Sequence, residues 1–354
     1  MLRDDVPLPV GQVALRDDTG AASPARVLIA ALGDLYDPEP VLEPGPLAVR
    51  TVTSVVDPPF FGNGDIGRLA VCAAVNALAV AGAEPRRLTL AAVVEAGLPA
   101  ALLHRAAASV REAVREAGVR VAAVDARVVR AGEADRLTFV ATGFGTFTRP
   151  PLNVADVRPG DRILVSAPLG SHAVHVLSLR AGLGFEYHVP SDVAPLGELV
   201  EAVRTALPSG ALRAAGTVGE GGLAAVLREF AAGSGRALRV DEAALPVPYG
   251  AREAFDVLGL DPLYAAGAGC VCLVVDPAAQ AAALAALRGH RNGRLAAAVG
   301  EVVGATHGAD GVTGPGGSGG PGGSGGAVEV LSLAGGLAPL RDEAEEGGAP
   351  ARLL

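Results

Sequence analysis

From Val55 to Arg86 the chain reads VVDPPFFGNGDIGRLAVCAAVNALAVAGAEPR, and few folds accommodate that order of residue types. Val55 and Val56 are β-branched and suit a strand end. Pro58 and Pro59 cannot continue a ladder or a helix, so the chain must turn directly after Asp57. Gly62, Asn63 and Gly64 lead into Asp65, a residue suited to capping a helix. A long apolar run from about Ile66 to Ala81 follows, with Gly82 where a helix stops. The spacing therefore predicts a strand, a glycine loop and a buried helix in succession. Such a loop suits an anion such as phosphate, because unpaired N–H groups and the helix dipole converge there. The same glycines also serve a strand–turn–helix unit that binds nothing. Geometry alone leaves both readings open.

The 354 residues suffice for two domains with separate cores. No apolar run reaches the roughly 18 residues that a membrane span needs. The opening MLRDDVPLPV lacks the basic-then-apolar order of a signal peptide, so a cytoplasmic protein is expected. A formal charge of −9 offers no basic footprint for nucleic acid. All 29 cationic residues counted as Lys plus Arg are arginine, which excludes a Schiff-base lysine, a Walker-type lysine and a lysine general base. Cys72, Cys270 and Cys272 lie in apolar surroundings and read as buried thiols of a reducing compartment.

Along the chain, residues 1–45 form a variable lead-in, with helical spacing from Pro24 to Leu35. Strands are predicted over 47–56, Leu88 to Glu95, Val119 to Val129 and Leu137 to Phe147. An amphipathic helix runs from Pro99 to Ala117 and ends at Gly118. That order predicts an α+β first domain over 46–150. A second domain over 158–306 opens after the connector Arg149-Pro150-Pro151. Its predicted helices cover 172–181, 192–206, Leu223 to Ala232, Tyr249 to Leu258 and Pro277 to Arg288. Its predicted strands are Ile163 to Ala167, Arg236 to Val240, Val271 to Val275 and Leu295 to Val303. Residues 308–326 have no side chains able to form a core and read as a flexible glycine-rich linker spanning about 25 Å root-mean-square. Residues 327–354 supply a last strand and a mobile acidic tail.

The 55–86 run resembles that of the HypE-type hydrogenase maturation factors, members of the PurM-like (AIR synthase-related) superfamily, which carry VVDPxFFxGGDIGKLAVxGTVNDLAVSGAxP. The match rests on residues including Val55, Val56, Asp57, Pro58, Phe60, Phe61, Gly64, Asp65, Ile66, Gly67, Asn76, Gly82, Ala83 and Pro85. GDRILVSAPLGSH before Ala173, GGLAAVLREFA from Gly221, DEAALPVP at 241–248, LGLDPLY at 258–264 and VGEVV at 299–303 resemble further family stretches. The similarity spans residues 20–305. It implies a two-domain PurM-like fold, with an N-terminal sheet-and-helix domain and a C-terminal α/β sandwich domain. It also implies a homodimer paired through the first-domain sheet, with the nucleotide near that interface. The implied reaction is ATP-dependent dehydration of a thiocarboxamide on a C-terminal cysteine to a thiocyanate, the source of cyanide for the iron of nickel–iron hydrogenases. HypF-like and HypC–HypD-like proteins are the implied partners.

Carried over residue by residue, the resemblance implies cofactor contacts at Gly64, Asp65, Asn76, Asp125, Arg127, His172, Gly221 and Gly222, with Asp65 and Asp125 as carboxylates for magnesium. Other charged positions have changed. Val52 stands for the aspartate of TTD, Ala77 for that of VND, and Arg127 for the lysine of GDTK. Ser171 replaces the aspartate of GDHG, and Ala268 the glutamate of ANEGK. Thr217-Val218-Gly219-Glu220 holds neither the aspartate nor the arginine of DPTRGG, and Leu354 stands for the terminal cysteine of PRxC. His172 and His175, at i and i+3, share a helix face but have no third metal ligand at suitable spacing. His104 and His290 read as solvated residues of amphipathic helices. The expectation is a HypE-like protein with its scaffold kept and its magnesium–ATP chemistry impaired. Two alternatives stay open: a catalytically silent paralogue acting as a dimeric scaffold or partner, or another PurM-like ATP-dependent enzyme of the selenophosphate synthetase or thiamine-phosphate kinase kind.

Overall fold

A computed structural model describes residues 23–38, 45–247, 249–304, 326–333 and 335–340, with Tyr249 described by its backbone alone. The lead-in before Ser23, the linker up to residue 325 and the tail with Leu354 lie outside the described residues. The described residues divide into two compact units, one of the residues up to Pro151 with His172–Glu198, the other of Leu152–Ser171 with the residues from Leu199 onward. The sequence reading placed 172–198 with the second domain. In the structure this segment clusters with the first, where side chains from Asn63 to Asn76 bind its backbone.

In the first unit, α1 (Pro24–Leu32) starts where Ser23 Oγ accepts the Arg26 N–H at 3.4 Å and Pro24 takes the first helical position. The strands β1 (Leu47–Ser54), β2 (Glu84–Glu95), β3 (Arg120–Val129) and β4 (Leu137–Thr146) form one sheet in the order β1-β4-β2-β3. Only β2 and β3 pair in parallel. Residues alternate between buried and half-buried along β4, and α2 (Ile66–Val80) packs on the buried face, with α3 (Ala100–Glu116) against α2. On α3, Leu103, Ala106, Val110 and Val114 are buried, as the helical period requires. β2 starts at Glu84, four residues before the expected Leu88. A register shift between Pro85 and Arg87 lets the strand carry a residue without an N–H. The helix α4 (Ser171–Ala181) follows the expected span.

In the second unit, β5 (Arg162–Val165), β6 (Leu212–Thr217), β7 (Ala237–Asp241), β8 (Val271–Val275), β9 (Ala297–Val303), β10 (Val328–Leu331) and β11 (Leu337–Pro339) form a sheet in the order β11-β10-β7-β9-β5-β8-β6. Its helices are α5 (Gly197–Ala206), α6 (Gly222–Ser234), α7 (Tyr249–Leu258) and α8 (Gln280–Gly289). The core sits between α6 and the sheet, with Leu223, Leu227 and Phe230 packed against Ile163, Leu238, Cys272 and Val299. Burying that many apolar side chains is the main force holding the unit together. α5 begins at Gly197 instead of 192, because Pro195 disfavours helical backbone before it and Asn76 holds the main chain at Ala194 and Leu196. The sequence reading missed β6 and β11. No described helix is long and apolar enough to cross a membrane.

Candidate nucleotide site

The glycine loop closes on itself before α2 begins. Phe61 N–H donates to Gly64 O at 3.0 Å and Ile66 N–H to Pro59 O at 2.9 Å. A Cβ on Gly64 would lie 2.6 Å from Phe61 Cε2 and 2.8 Å from Val193 Cγ1, so this glycine is required by packing within the loop. Asp65 caps α2: its Oδ1 accepts the N–H groups of Gly67 at 2.9 Å and Arg68 at 3.1 Å. Burial pushes its carboxyl above the ordinary range, against the lowering pull of the Arg68 N–H, the Ser109 hydroxyl and the Gly67 N–H. The N-terminus of α2 is thus occupied by its own cap.

Behind the loop, exposed Asn63 joins a polar cluster with buried Ser191, His172 and His175. Asn63 Nδ2 donates to Ser191 O at 2.7 Å, and Ser191 N–H returns a bond to Asn63 Oδ1 at 3.2 Å. His172 Nδ1 pairs with Ser191 Oγ at 2.8 Å. Burial, with the neighbouring His175 charge adding to it, lowers the His172 pKa to about 4, so this ring is neutral at pH 7. His175 contacts Val189 O and Phe61 O through its two ring nitrogens. The Phe61 ring stands edge-on to both histidines, with centroids 5.1 Å and 6.2 Å away. Both helix-face histidines are therefore engaged with the protein itself and do not form a metal pair. Asn76, on α2, is likewise spent on the backbone, donating to Ala194 O and accepting from Leu196 N–H. His104 is exposed, whereas His290 lies just past the end of α8, where it accepts the Asn292 N–H at 3.2 Å.

Asp125 and Arg127 are exposed on β3, on the sheet face turned away from α2 and α3. Asp125 pairs with Ala91, which in turn pairs with Val140 of the half-buried row that faces away from α2. Arg127 Nε lies 3.9 Å from Asp125 Oδ2. Asp65 and Asp125 therefore lie on opposite sides of the sheet and are not brought together. Val52 is half-buried opposite Ala141, and Ala77 is half-buried on α2.

In the second unit, Gly221 and Gly222 carry φ of 72° and 64° at the start of α6. A Cβ on Gly222 would lie 2.4 Å from Leu263 O, and Ala224 N–H donates to that same oxygen at 2.8 Å. Left-handed backbone and close main-chain approach both demand glycine here. Cys270 Sγ lies 3.5 Å from Ala167 O in the buried core, where it does not serve as an exposed nucleophile.

Known proteins share this architecture. The model of the AIR synthase related protein N-terminal domain matches residues 37–147, and that of the C-terminal domain matches 158–312. The carbamoyl dehydratase HypE of Azotobacter vinelandii is 41% identical over 269 residues, covering 75% of this chain and 78% of that protein. The chain belongs to the HypE family. A crystal structure of the hydrogenase maturation protein HypE in complex with ATP superimposes with a TM-score of 0.80 at 34% identity, covering 92% of this chain and 96% of that one. In the crystal structure of a HypE–HypF complex, the matching chain gives a TM-score of 0.74 at 32% identity, covering 83% and 90%. The two-domain PurM-like fold expected from the sequence is the one observed.

Measured against the magnesium carboxylates that the sequence resemblance implies, the donor set here is sparse. Among the described residues no three of His, Cys, Asp and Glu gather as a metal-holding group. Asp65 caps a helix, and Asp125 is ion-paired with Arg127. These residues build no all-protein cage for magnesium, so any magnesium here would rest on one or two carboxylates and the phosphates of a nucleotide. The polar cluster of Asn63, His175 and Ser191 escaped the sequence reading. Its members are 128 and 114 residues apart from the groups they bind, and no periodic pattern links them.

Proposed function

We propose that this chain is a HypE-type protein of nickel–iron hydrogenase maturation in which the family reaction, ATP-dependent dehydration of a cysteine thiocarboxamide to a thiocyanate, is impaired. The observation carrying this reading is the fate of the carboxylates. Val52 and Ala77 stand where the family has acids, Asp65 is buried as a cap, and Asp125 sits beside Arg127 on the far face of the sheet. Phosphoryl chemistry depends on cations placed against the phosphates. A chain with fewer carboxylates for magnesium leans more on arginine to manage that charge, and Arg127 is the residue at the family's lysine position.

ATP remains the expected nucleotide, since a HypE 34% identical to this chain was solved with ATP. HypF-like and HypC–HypD-like proteins are the proposed partners, the first supported by the HypE–HypF complex. A homodimer built on the uncovered face of the first sheet and a cytoplasmic location complete the reading. The same loss of acids favours a second version, a catalytically silent paralogue that acts as a dimeric scaffold in a maturation complex.

Calorimetric titration with ATP, with and without magnesium, tests the proposal. ATP binding that is weak and indifferent to magnesium is the expected outcome. Tight binding that requires magnesium, with thiocyanate formed on a carbamoylated cysteine, would overturn it. Capture of HypF with no nucleotide binding selects the scaffold version.

A further inference from the structure

His175 sits on α4 with 4% of its surface exposed, and both ring nitrogens meet carbonyl oxygens. Nε2 lies 2.6 Å from Phe61 O, and Nδ1 lies 2.9 Å from Val189 O. A carbonyl oxygen only accepts hydrogen bonds, and a neutral imidazole has one N–H and one lone pair. In either neutral tautomer, one of these contacts would set lone pair against lone pair at hydrogen-bond distance. The imidazolium, with two N–H groups, satisfies both, and bonds from a charged donor are the stronger kind.

We propose that His175 is held as an imidazolium and acts as a positioning residue, a charged strut that ties the glycine loop at Phe61 to the segment around Val189. The loop backbone lies close on the ring: a Cβ on Gly62 would be 3.4 Å from Nε2. Moving the strut therefore moves the chain that leads into Asp65 and α2.

The ionisable groups around the ring have partners of their own. His172, one turn earlier, is neutral and pairs with Ser191 Oγ. The Glu186 carboxyl is held below its usual range first by the Ser178 hydroxyl at 2.5 Å, with the His175 charge contributing. From the loop side come Asp57, ion-paired with Arg180 and Arg136, and Asp65, spent on its cap. Tyr187, His188 and Asp192 are the other titratable groups on residues 185–192, the segment carrying Val189. This arrangement is independent of any catalytic activity and holds whether or not the chain binds ATP.

The test is ¹⁵N NMR of the histidine side chains in the full chain at neutral pH. Both nitrogens of His175 are expected to carry protons, the assignment coming from the signals lost in His175→Gln. An imine-type nitrogen on His175 in the folded protein overturns the proposal. Hydrogen exchange gives a second readout. Amides of residues 60–65 are expected to exchange about tenfold faster in His175→Gln, as loss of one charged hydrogen bond implies, and unchanged in the exposed-site control His104→Gln. Exchange that is equal in wild type and His175→Gln also overturns it. Should the glutamine variant not fold, wild-type protein decides alone: raising the pH until the ring loses a proton is expected to speed exchange at residues 60–65 while the amides of β5 keep their rate. No difference between the two segments refutes the strut.

Discussion

Asn76 Oδ1 accepts the main-chain N–H of Leu196 at 2.7 Å, joining a helix residue to a loop 120 positions later. The other end of the same amide donates to Ala194 O at 3.0 Å, and the side chain is 3% exposed. One donor and one acceptor on a single short side chain meet two backbone groups that have already left helical geometry. Aspartate has no donor for Ala194, and alanine has neither group. Asn76→Ala is therefore expected to cost about 2–4 kcal/mol, since it leaves a buried N–H and a buried carbonyl unpaired. Asn76→Asp is expected to cost at least as much, because it also buries a charge. Urea unfolding of the two variants measures this. A loss well under 1 kcal/mol in both would mean that water replaces the amide.

Asp65 behaves differently because its charge is not what the fold needs. Its carboxyl is raised by burial, so the folded state holds a proton more readily than the unfolded chain does. Its favourable contribution is then present in full below the ordinary carboxylate range and falls away as pH rises through the raised value. Asp65→Asn keeps an acceptor for the Gly67 and Arg68 N–H groups and removes the buried charge. At pH 7 this variant is expected to match wild type within about 1 kcal/mol, whereas Asp65→Ala loses the cap and costs about 1 kcal/mol or more. Thermal unfolding of both at pH 7 separates these outcomes. An asparagine variant less stable than the alanine one would contradict this reading of the cap.

Much of this frame was legible in the sequence wherever local chemistry decided the structure. Pro58 and Pro59 forced the turn, Asp65 capped the helix it precedes, and Gly118 followed the end of α3. β6 escaped because LRAAGT buries only Leu212, Ala214 and Gly216, too little side chain to announce a strand. The start of α5 escaped because a side chain 120 residues earlier sets it. At the candidate site the sequence identified residues by type, and long-range contacts decided what each one does. Asp65, Asn76 and His172 all turned out to hold backbone or neighbouring side chains. Asp125 fell on the opposite side of the sheet, a placement fixed by strand register and by no local signal.

His172 makes acid stability a second measurable consequence. The unfolded chain takes up this proton near pH 6.5, the folded protein only near pH 4. Between those values the unfolded state binds more protons, so stability rises with pH across the window and is lost as pH falls through it. The full loss is on the order of 3 kcal/mol. His172→Gln removes the titration while offering Ser191 a polar partner. Its stability is expected to change less than that of wild type between pH 6.5 and 4.5. Parallel curves for the two proteins would sink the assignment.

The three cysteines are expected to be silent in the folded protein. Cys72 is fully buried on α2 and its thiol is pushed up to about 12 by burial, while Cys272 is raised by burial with Cys270 adding to it. Thiolate, the reactive form, is therefore scarce at neutral pH, and access is closed as well. A disulfide reagent at pH 8 should label none of the three in native protein and all three in denaturant. Rapid labelling of any of the three in native protein would contradict this.

The first sheet carries the last prediction. Its helix-free face presents Val49 opposite Phe144 and Thr51 opposite Thr142, with the two threonine hydroxyls 2.9 Å apart. Leu47 and Val49 are 43% and 44% exposed on the edge strand β1. Apolar and β-branched side chains on one continuous sheet face gain by being covered, and a second copy of the same face supplies the matching surface through a two-fold axis. Arginine at position 49 would place two like charges near each other across that axis while leaving the helix-packed side of the sheet untouched. Val49→Arg is accordingly expected to be folded and monomeric, with wild type dimeric, by sedimentation velocity at micromolar concentration. A monomeric wild type would remove the homodimer from the proposed function. A Val49→Arg protein that stays dimeric would move the interface to another surface.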